Sequence, residues 1–494
     1  MNDSAQRPRR RFRKHDIVAV VLLVLAVPVI LSGIQVFRIS TAVPSNSRVH
    51  VDALQSLIET QNPLTPGEPN AFDLMTDAAA ICSRISIQSS DALAAEAASR
   101  FGYEFEYVSV SGEYLHSDMP GPNARGALDP ESDSWPEANR LVRQRSADAL
   151  QAMDHLGLSN RLDDLVSVGS SRPPMPDGSL SDGLPMLTDV RRVSRWERGR
   201  LELSGELGQW QQVRRSTRRL LSLSSHVSRD PNLISWLVGT AINRGVCRSV
   251  VEIITRRAIP ADEIAVLQDI LERQPPLASL SYILEGERLM TLHQIEKVHS
   301  DDGKGSGYFL PAQLQRAGPP NAPPRASIKN IRGLGFPRKA ETVETTNLVY
   351  DRLRQMGEQT RAERLLQPEL GIEIPESQIL LQIMLPAFDS IFRAKDRYES
   401  NMRATLIALA IERHRAESGA LPDSLSLLVP HNLAELPQDP FSESGQFLYR
   451  IDESQEPGYT LYSVGPNAFD DGGHRKAPGD PDESGDLVTV PVAD

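Results

Sequence analysis

Four arginines, Arg214, Arg215, Arg218 and Arg219, stand within six positions of one another. They belong to a stretch, residues 191–229, with ten arginines against three acids, Glu197, Glu202 and Glu206. A local excess of this size in a chain of net charge -12 is an electrostatic asymmetry. Such a face can recognise anionic lipid headgroups, an acidic polymer or an acidic partner. The plainer use of the same arginines, and the more ordinary one, is a solvated helix face partly paired with the chain's own acids. A second cluster, Asn467, Asp470 and Asp471 followed by Gly472 and Gly473, is an acidic turn without the spacing of an EF-hand loop. His293 and His299 flank Glu296, but positions six apart fall on different faces of a helix. There is no His-Glu-x-x-His, Gly-x-Ser-x-Gly, Walker loop or Cys-x-x-Cys. No catalytic constellation is therefore expected, with a Ser-His-Asp site assembled from distant segments left as the enzymatic alternative. Cys82 and Cys247, 165 positions apart, are expected as two buried small hydrophobes rather than a disulfide.

The elements that carry these residues lie in a chain of 494, long enough for two or three domains. Aromatics make up only 5%, which favours small-residue helical packing over a β-sandwich. The negative net charge excludes a general nucleic-acid binder, because phosphate contacts need a basic surface.

Residues 7–14 contain six basic side chains and no acid, and the run from Ile17 to Phe37 has no charge at all. At about 1.5 Å per residue this run spans roughly 31 Å, close to a bilayer core of about 30 Å. Residues 1–16 are thus expected in the cytoplasm and 17–37 as a transmembrane signal-anchor in contact with the lipid bilayer, with the rest of the chain outside. A cleaved signal peptide would have a shorter apolar run and a small-residue cleavage site.

Beyond the span, residues 38–70 read as a stalk. Residues 71–185 read as a mixed, mostly helical region, with a short strand at Tyr103 to Val110 and a Pro/Gly/Asp loop from Pro173 to Pro185. Residues 186–300 give the clearest pattern. Trp210, Val213, Thr217, Leu220 and Leu221 recur at helical steps, Asp230-Pro231 reads as an N-cap and first helical position, and Pro275-Pro276 is a stop. Antiparallel helical hairpins are expected, like tetratricopeptide arrays in architecture only, since that repeat signature is absent. Residues 301–345 form a Gly/Pro-rich loop or linker. Residues 346–473 hold a long helix, from Glu376 to Ser418 with Gly419 as its cap, and a β-hairpin of Phe447, Tyr449, Ile451 and Tyr459, Leu461, Ser463. Residues 474–494 read as an acidic tail.

The stretch 404–473 carries a resemblance. A helix leads to Ser418-Gly419-Ala420-Leu421-Pro422, then Leu436-Pro437-Gln438-Asp439-Pro440-Phe441, then Tyr462-Ser463-Val464-Gly465 and Asp470-Asp471-Gly472-Gly473. This resembles the soluble part of the major pseudopilin of type II secretion systems. It is more similar still to a bacterial group of single-pass membrane proteins ending in "LYSVGP…DDGG". The likeness implies an α+β C-terminal module, the bacterial cytoplasmic membrane as location, and calcium held at Asp470 and Asp471. A turn of Asp and Gly can offer the side-chain and carbonyl oxygens that calcium needs. The chain departs from pseudopilins in lacking their leader and in placing its span more than 350 residues upstream.

The expected fold is mainly α: a transmembrane helix, helical hairpins and a pseudopilin-like end. The expected role is a non-enzymatic, membrane-anchored scaffold that presents its extracytoplasmic body to an envelope protein or an anionic lipid or polymer. A divergent component of a secretion or pilus-like apparatus is the first alternative, and an envelope hydrolase with a dispersed site the second.

Overall fold

The computed structural model describes residues 35, 37, 38, 41–44, 47–101, 144, 147–174, 184–314, 335–359, 361–366, 374–452, 456–474 and 485–490. The apolar run 17–34 and the strand expected from Tyr103 to Val110 lie outside the described residues. No described helix is long and apolar enough to cross a membrane. The described chain is mainly helical with one small antiparallel sheet, and it divides into two compact units.

The larger unit comprises residues 51–290, 349–372 and 383–494. Its body is built from α1 (Val49–Gln61), α2 (Ala71–Phe101), α3 (Leu158–Ser167), α4 (Leu184–Glu206), α5 (Trp210–Val227), α6 (Leu233–Arg256), α7 (Ala261–Glu272) and the first part of α8 (Leu280–Val298). Helices fill most of the stretch 186–300, and short turns join α4 to α5 and α5 to α6. The Asp230-Pro231 reading was displaced by two residues. Asn232 is the N-cap of α6, and its side chain accepts from the Ser235 amide at 2.8 Å. Asp230 instead accepts the Ser235 hydroxyl at 2.6 Å, bracing the turn from behind.

Helix α5 occupies the centre, packed against α2, α3, α4, α6 and α7. Its predicted apolar stripe is buried through Val213, Thr217, Leu220 and Leu221, and from Arg219 onward every residue of the helix is buried. One continuous core runs from Phe72 and Met75 of α2 through Leu162, Val193 and Leu220 to Val250 of α6. Full burial of each such side chain is worth about 1.5–3 kcal/mol. Close helix crossings depend on small residues: a Cβ on Gly239 of α6 would stand 2.8 Å from the Ser224 carbonyl oxygen of α5. Cys82 and Cys247 are free and buried, as expected.

The C-terminal part of this unit begins with the latter half of α11 (Ile379–Ser418), which follows α9 (Lys339–Glu358) and α10 (Arg361–Leu366). Helix α11 ends where expected: Gly419 is left-handed at φ 82° and its amide bonds the Arg415 carbonyl at 2.9 Å. A one-turn 3-10 helix (Leu425–Leu428) then leads to strands β1 (Leu448–Ile451), β2 (Tyr459–Ser463) and β3 (Leu487–Val490). The sheet order is β1-β2-β3, antiparallel throughout, with Leu448 opposite Tyr462 and Val488 opposite Tyr462 on the other side. The hairpin expectation was therefore incomplete. Residues 487–490, assigned by composition to an acidic tail, return as the third strand. Every residue of β2 is buried, and the Tyr459 hydroxyl donates to Glu412 of α11 at 2.9 Å. Asp439 accepts from the Phe441 amide and the Ser463 hydroxyl, which pins the Leu436–Phe441 loop to the end of β2.

The smaller unit comprises residues 1–50, 291–348 and 373–382. Part of the expected Gly/Pro linker is ordered in it. The Ser300 amide bonds the Tyr308 carbonyl, the Leu310 amide bonds the Val298 carbonyl, and His299 bridges to Phe309. Gly307 permits this close return, since a Cβ there would stand 1.7 Å from the Ser300 carbonyl oxygen.

Candidate functional site

The four arginines of α5 do not share one face. Arg219 is 1% exposed, Arg214 is half-buried, and Arg215 and Arg218 are exposed. Arg219 points into a buried ion network between α3, α4 and α5. Its Nε donates to Asp163 Oδ1 at 2.8 Å, its Nη1 to Glu197 Oε1 at 3.1 Å and its Nη2 to the Ser159 carbonyl at 3.1 Å. Glu197, also 1% exposed, accepts in addition from the Ser216 hydroxyl at 2.7 Å and from Arg200 Nε at 3.0 Å. Arg200 closes the network on Asp154. Burial alone would lower the Arg219 pKa, but the bond to Asp163 and the charge of Glu197 reverse that, so it is raised. Arg219 is thus a structural cation and not part of a partner surface. Arg214 pairs with Glu263 of α7 at 3.3 Å, leaving Arg215 and Arg218 as the solvated remainder.

A different arginine surface emerges on α6. Arg244, Arg248, Glu252 and Arg256 repeat every four residues and so lie along one side of the helix. Arg198 of α4 joins them because position 245 is glycine: a Cβ there would stand 2.9 Å from Arg198 Nη1. These side chains form one wall of a cleft of about 680 Å³. The other wall is Asn401 and Thr405 of α11, Glu456-Pro457, and Val488 and Thr489 of β3. Two neighbouring hollows share its residues. One of about 310 Å³ adds Arg393 and Arg397 beyond Arg244, and one of about 640 Å³ adds Arg257 and Arg415 beyond Arg256.

Together they make a groove along α6 with eight arginines against Glu252, Glu412 and Glu456. Arg248 pairs with Glu252 at 2.9 Å and Arg415 with Glu412 at 2.5 Å. Among the described residues, Arg244, Arg256 and Arg257 make no ion pair. Burial pushes the Arg198 pKa below its usual range, with Glu202 opposing and Arg248 reinforcing the fall. An anion in the cleft would relieve that repulsion. Sequence reasoning passed over this surface. Its signal was present in the four-residue spacing of Arg244, Arg248 and Arg256, but nothing in the sequence brought α11 and β3 alongside.

The acidic turn is exposed at Asp470 and Asp471. Asp470 Oδ1 accepts from the Tyr462 hydroxyl at 3.0 Å and the Gly472 amide at 2.9 Å, and Asp471 Oδ2 accepts from Asn467 at 2.7 Å. Buried Asp486 takes the Asp471 and Gly473 amides on its two oxygens. Burial raises the pKa of Asp486, and the charges of Asp471 and Asp470 add to that rise. The donor chemistry is right for a hard cation, and one oxygen each of Asp470 and Asp471 is uncommitted. Among the described residues no group of three or more His, Cys, Asp or Glu is arranged to hold a metal ion.

His293 and His299 are buried in the smaller unit, and burial pushes both pKa values down to about 4. His299 Nδ1 meets the Ile295 carbonyl at 2.8 Å, and Glu296 pairs with Lys339. The three therefore do not converge on a common point.

The described residues define a mainly α protein with a small antiparallel sheet and an arginine-lined groove along α6. Comparison of the chain with protein-family models, curated proteins and solved structures gives no match.

Proposed function

We propose that the chain is a membrane-tethered helical scaffold, without catalysis of its own, that holds an anionic partner in the groove along α6. The observation that carries this reading is the concave arginine wall of Arg198, Arg244, Arg248 and Arg256, in which Arg198 pairs with Glu202 and Arg248 with Glu252 while, among the described residues, Arg244 and Arg256 make no ion pair. Guanidinium groups suit carboxylates and phosphates because their planar forks donate two parallel hydrogen bonds. The tether is supported by the charge-free run from Ile17 to Phe37 behind six basic residues. The exposed Arg215 and Arg218 supply positive charge elsewhere on the body and would assist approach rather than seat the partner.

The test is binding of fluorescein-labelled poly-L-glutamate to the detergent-solubilised full chain, followed by anisotropy. Changing Arg244, Arg248 and Arg256 together to Gln should weaken binding at least tenfold and flatten its salt dependence. Changing Arg215 and Arg218 to Gln should have a smaller effect. Equal loss in the two variants would mean that net charge alone attracts the polymer.

A second reading, a divergent component of a secretion or pilus-like apparatus, is favoured by the C-terminal order of long helix, 3-10 turn and three-stranded antiparallel sheet. The calcium that the pseudopilin resemblance implies at Asp470 and Asp471 belongs with it. Calcium binding only the native state would stabilise by about 2.7 kcal/mol at a hundred times the dissociation constant. The melting temperature should then rise in millimolar calcium, and not in a variant with Asp470→Asn and Asp471→Asn. A flat response in the parent chain removes the ion from this reading.

A further inference from the structure

The spacing along α6 points to a more specific occupant, and the inference rests on the groove being an anion site. We infer that the groove takes an extended acidic peptide with carboxylates at positions i, i+2 and i+6. Arg244 and Arg248 are four helical residues apart, a rise of about 6 Å. Alternate side chains of an extended strand point the same way and are separated by about 6.6–6.8 Å. The two repeats therefore keep step over a short distance. From Arg248 to Arg256 the rise is about 12 Å, and four extended residues cover about 13 Å. Glu252 stands midway, paired with Arg248, and it disfavours an acid at i+4.

The opposite wall suits an extended backbone. Strand β3 is an edge of the sheet in the order β1-β2-β3, and its Val488 and Thr489 line the cleft. Among the described residues no strand pairs with the outer side of β3, although α6 itself packs close to that strand, so an added chain would lie along the cleft beside β3. The cleft between α6 and the far wall of α11 and β3 is open to solvent, with Arg244 and Arg248 exposed, and its concave shape suits a single chain rather than the plane of a bilayer.

The experiment compares fluorescein-labelled peptides of equal length, the first two also of equal composition, on the full chain in detergent micelles. One peptide carries Glu at i, i+2 and i+6, and a second carries the same three Glu at consecutive positions. A third adds a Glu at i+4 to the first. The spaced peptide should bind at least tenfold tighter than the consecutive one, and Arg244→Gln with Arg248→Gln should abolish the preference. The i+4 acid should weaken binding to the parent chain, and Glu252→Gln should remove that penalty. Polyphosphate and phosphatidylserine vesicles are run beside the peptides. If polyphosphate binds through Arg244 and Arg248 while the peptides are not distinguished, the groove remains an anion site and the peptide inference is overturned. Vesicles binding more tightly than the spaced peptide overturn it equally. If no anion responds to these substitutions, the groove reading itself fails.

Discussion

Changing Arg219 to methionine removes a buried guanidinium from a helix whose Arg215 and Arg218 face water, and the contrast within α5 makes the outcome readable. Methionine keeps the apolar stem and much of the volume, so loss of packing is small. Four bonds disappear, to Asp163, Glu197 and both the carbonyl and the hydroxyl of Ser159. Asp163 has a half-open side chain and can be rehydrated, whereas Glu197 is 1% exposed and cannot. Breaking a buried pair from one side costs about 3–5 kcal/mol, because the remaining charge is left uncompensated. Here Arg200 and Ser216 still hold the Glu197 carboxylate, which places the expected loss at the lower end, about 3 kcal/mol. Arg215→Met and Arg218→Met, at exposed positions, should each stay within about 0.5 kcal/mol of the parent.

Urea unfolding followed by tryptophan fluorescence suits the measurement, since Trp196 and Trp236 are both buried in the same unit. A double-mutant cycle with Glu197→Gln should return a coupling of about 1–2 kcal/mol between the two positions. A loss below about 1 kcal/mol for Arg219→Met, or equal losses at the three arginines, would refute the buried-network argument.

Glu287, pushed up to about 7 by burial and by nearby Asp230, keeps a proton in the folded chain that the unfolded chain has released above about 4.5. Its contribution to stability is therefore present at low pH and is lost as pH rises from about 4.5 through 7. Buried His226, His293 and His299, each pushed down to about 4, act in the opposite sense and lose stability as pH falls below 6.5. Subtracting the stability curve of Glu287→Gln isolates the first effect, expected on the order of 3 kcal/mol across that window at about 1.4 kcal/mol per pKa unit; a flat difference would contradict it. Gly286→Ala would place a Cβ 2.2 Å from the Pro231 carbonyl oxygen and should cost about 1–3 kcal/mol or more through overpacking. Gly157→Ala meets no atom but must hold φ 91°, so a backbone cost of roughly 1 kcal/mol is expected from thermal melting.

Most of the body's helices were readable because they announce themselves locally, but α1 (Val49–Gln61), with Val51, Leu54 and Ile58 buried, lies in the stretch read as a stalk. Period marked α5 and α6, Pro260 fixed the start of α7 and Gly419 closed α11 within its own turn, while the start of α6 fell past Asp230-Pro231 at Asn232. Charge was misread for a different physical reason. Period places Arg219 beside Arg215 on the helix surface, but burial depends on what packs opposite, and that is Glu197, 22 positions earlier, and Asp163, 56 positions earlier. A guanidinium is tolerated inside only because those acids arrive there, and no local pattern reports their arrival. Strand β3 was missed for the same reason: Leu487–Val490 is four residues set in acidic surroundings, and its strand character comes from pairing with β2. The groove combines both cases. Its arginine row is a local pattern on α6, yet it becomes a slot only when α11, about 150 positions away, and β3, further still, supply the far wall. Helical spacing alone would have assigned Arg244 and Arg248 to solvated surface, as it did with Arg215 and Arg218. What distinguishes Arg244 and Arg248, themselves exposed, is that they line a cleft shared with α11 and β3, where a bound carboxylate would meet several guanidinium groups at once.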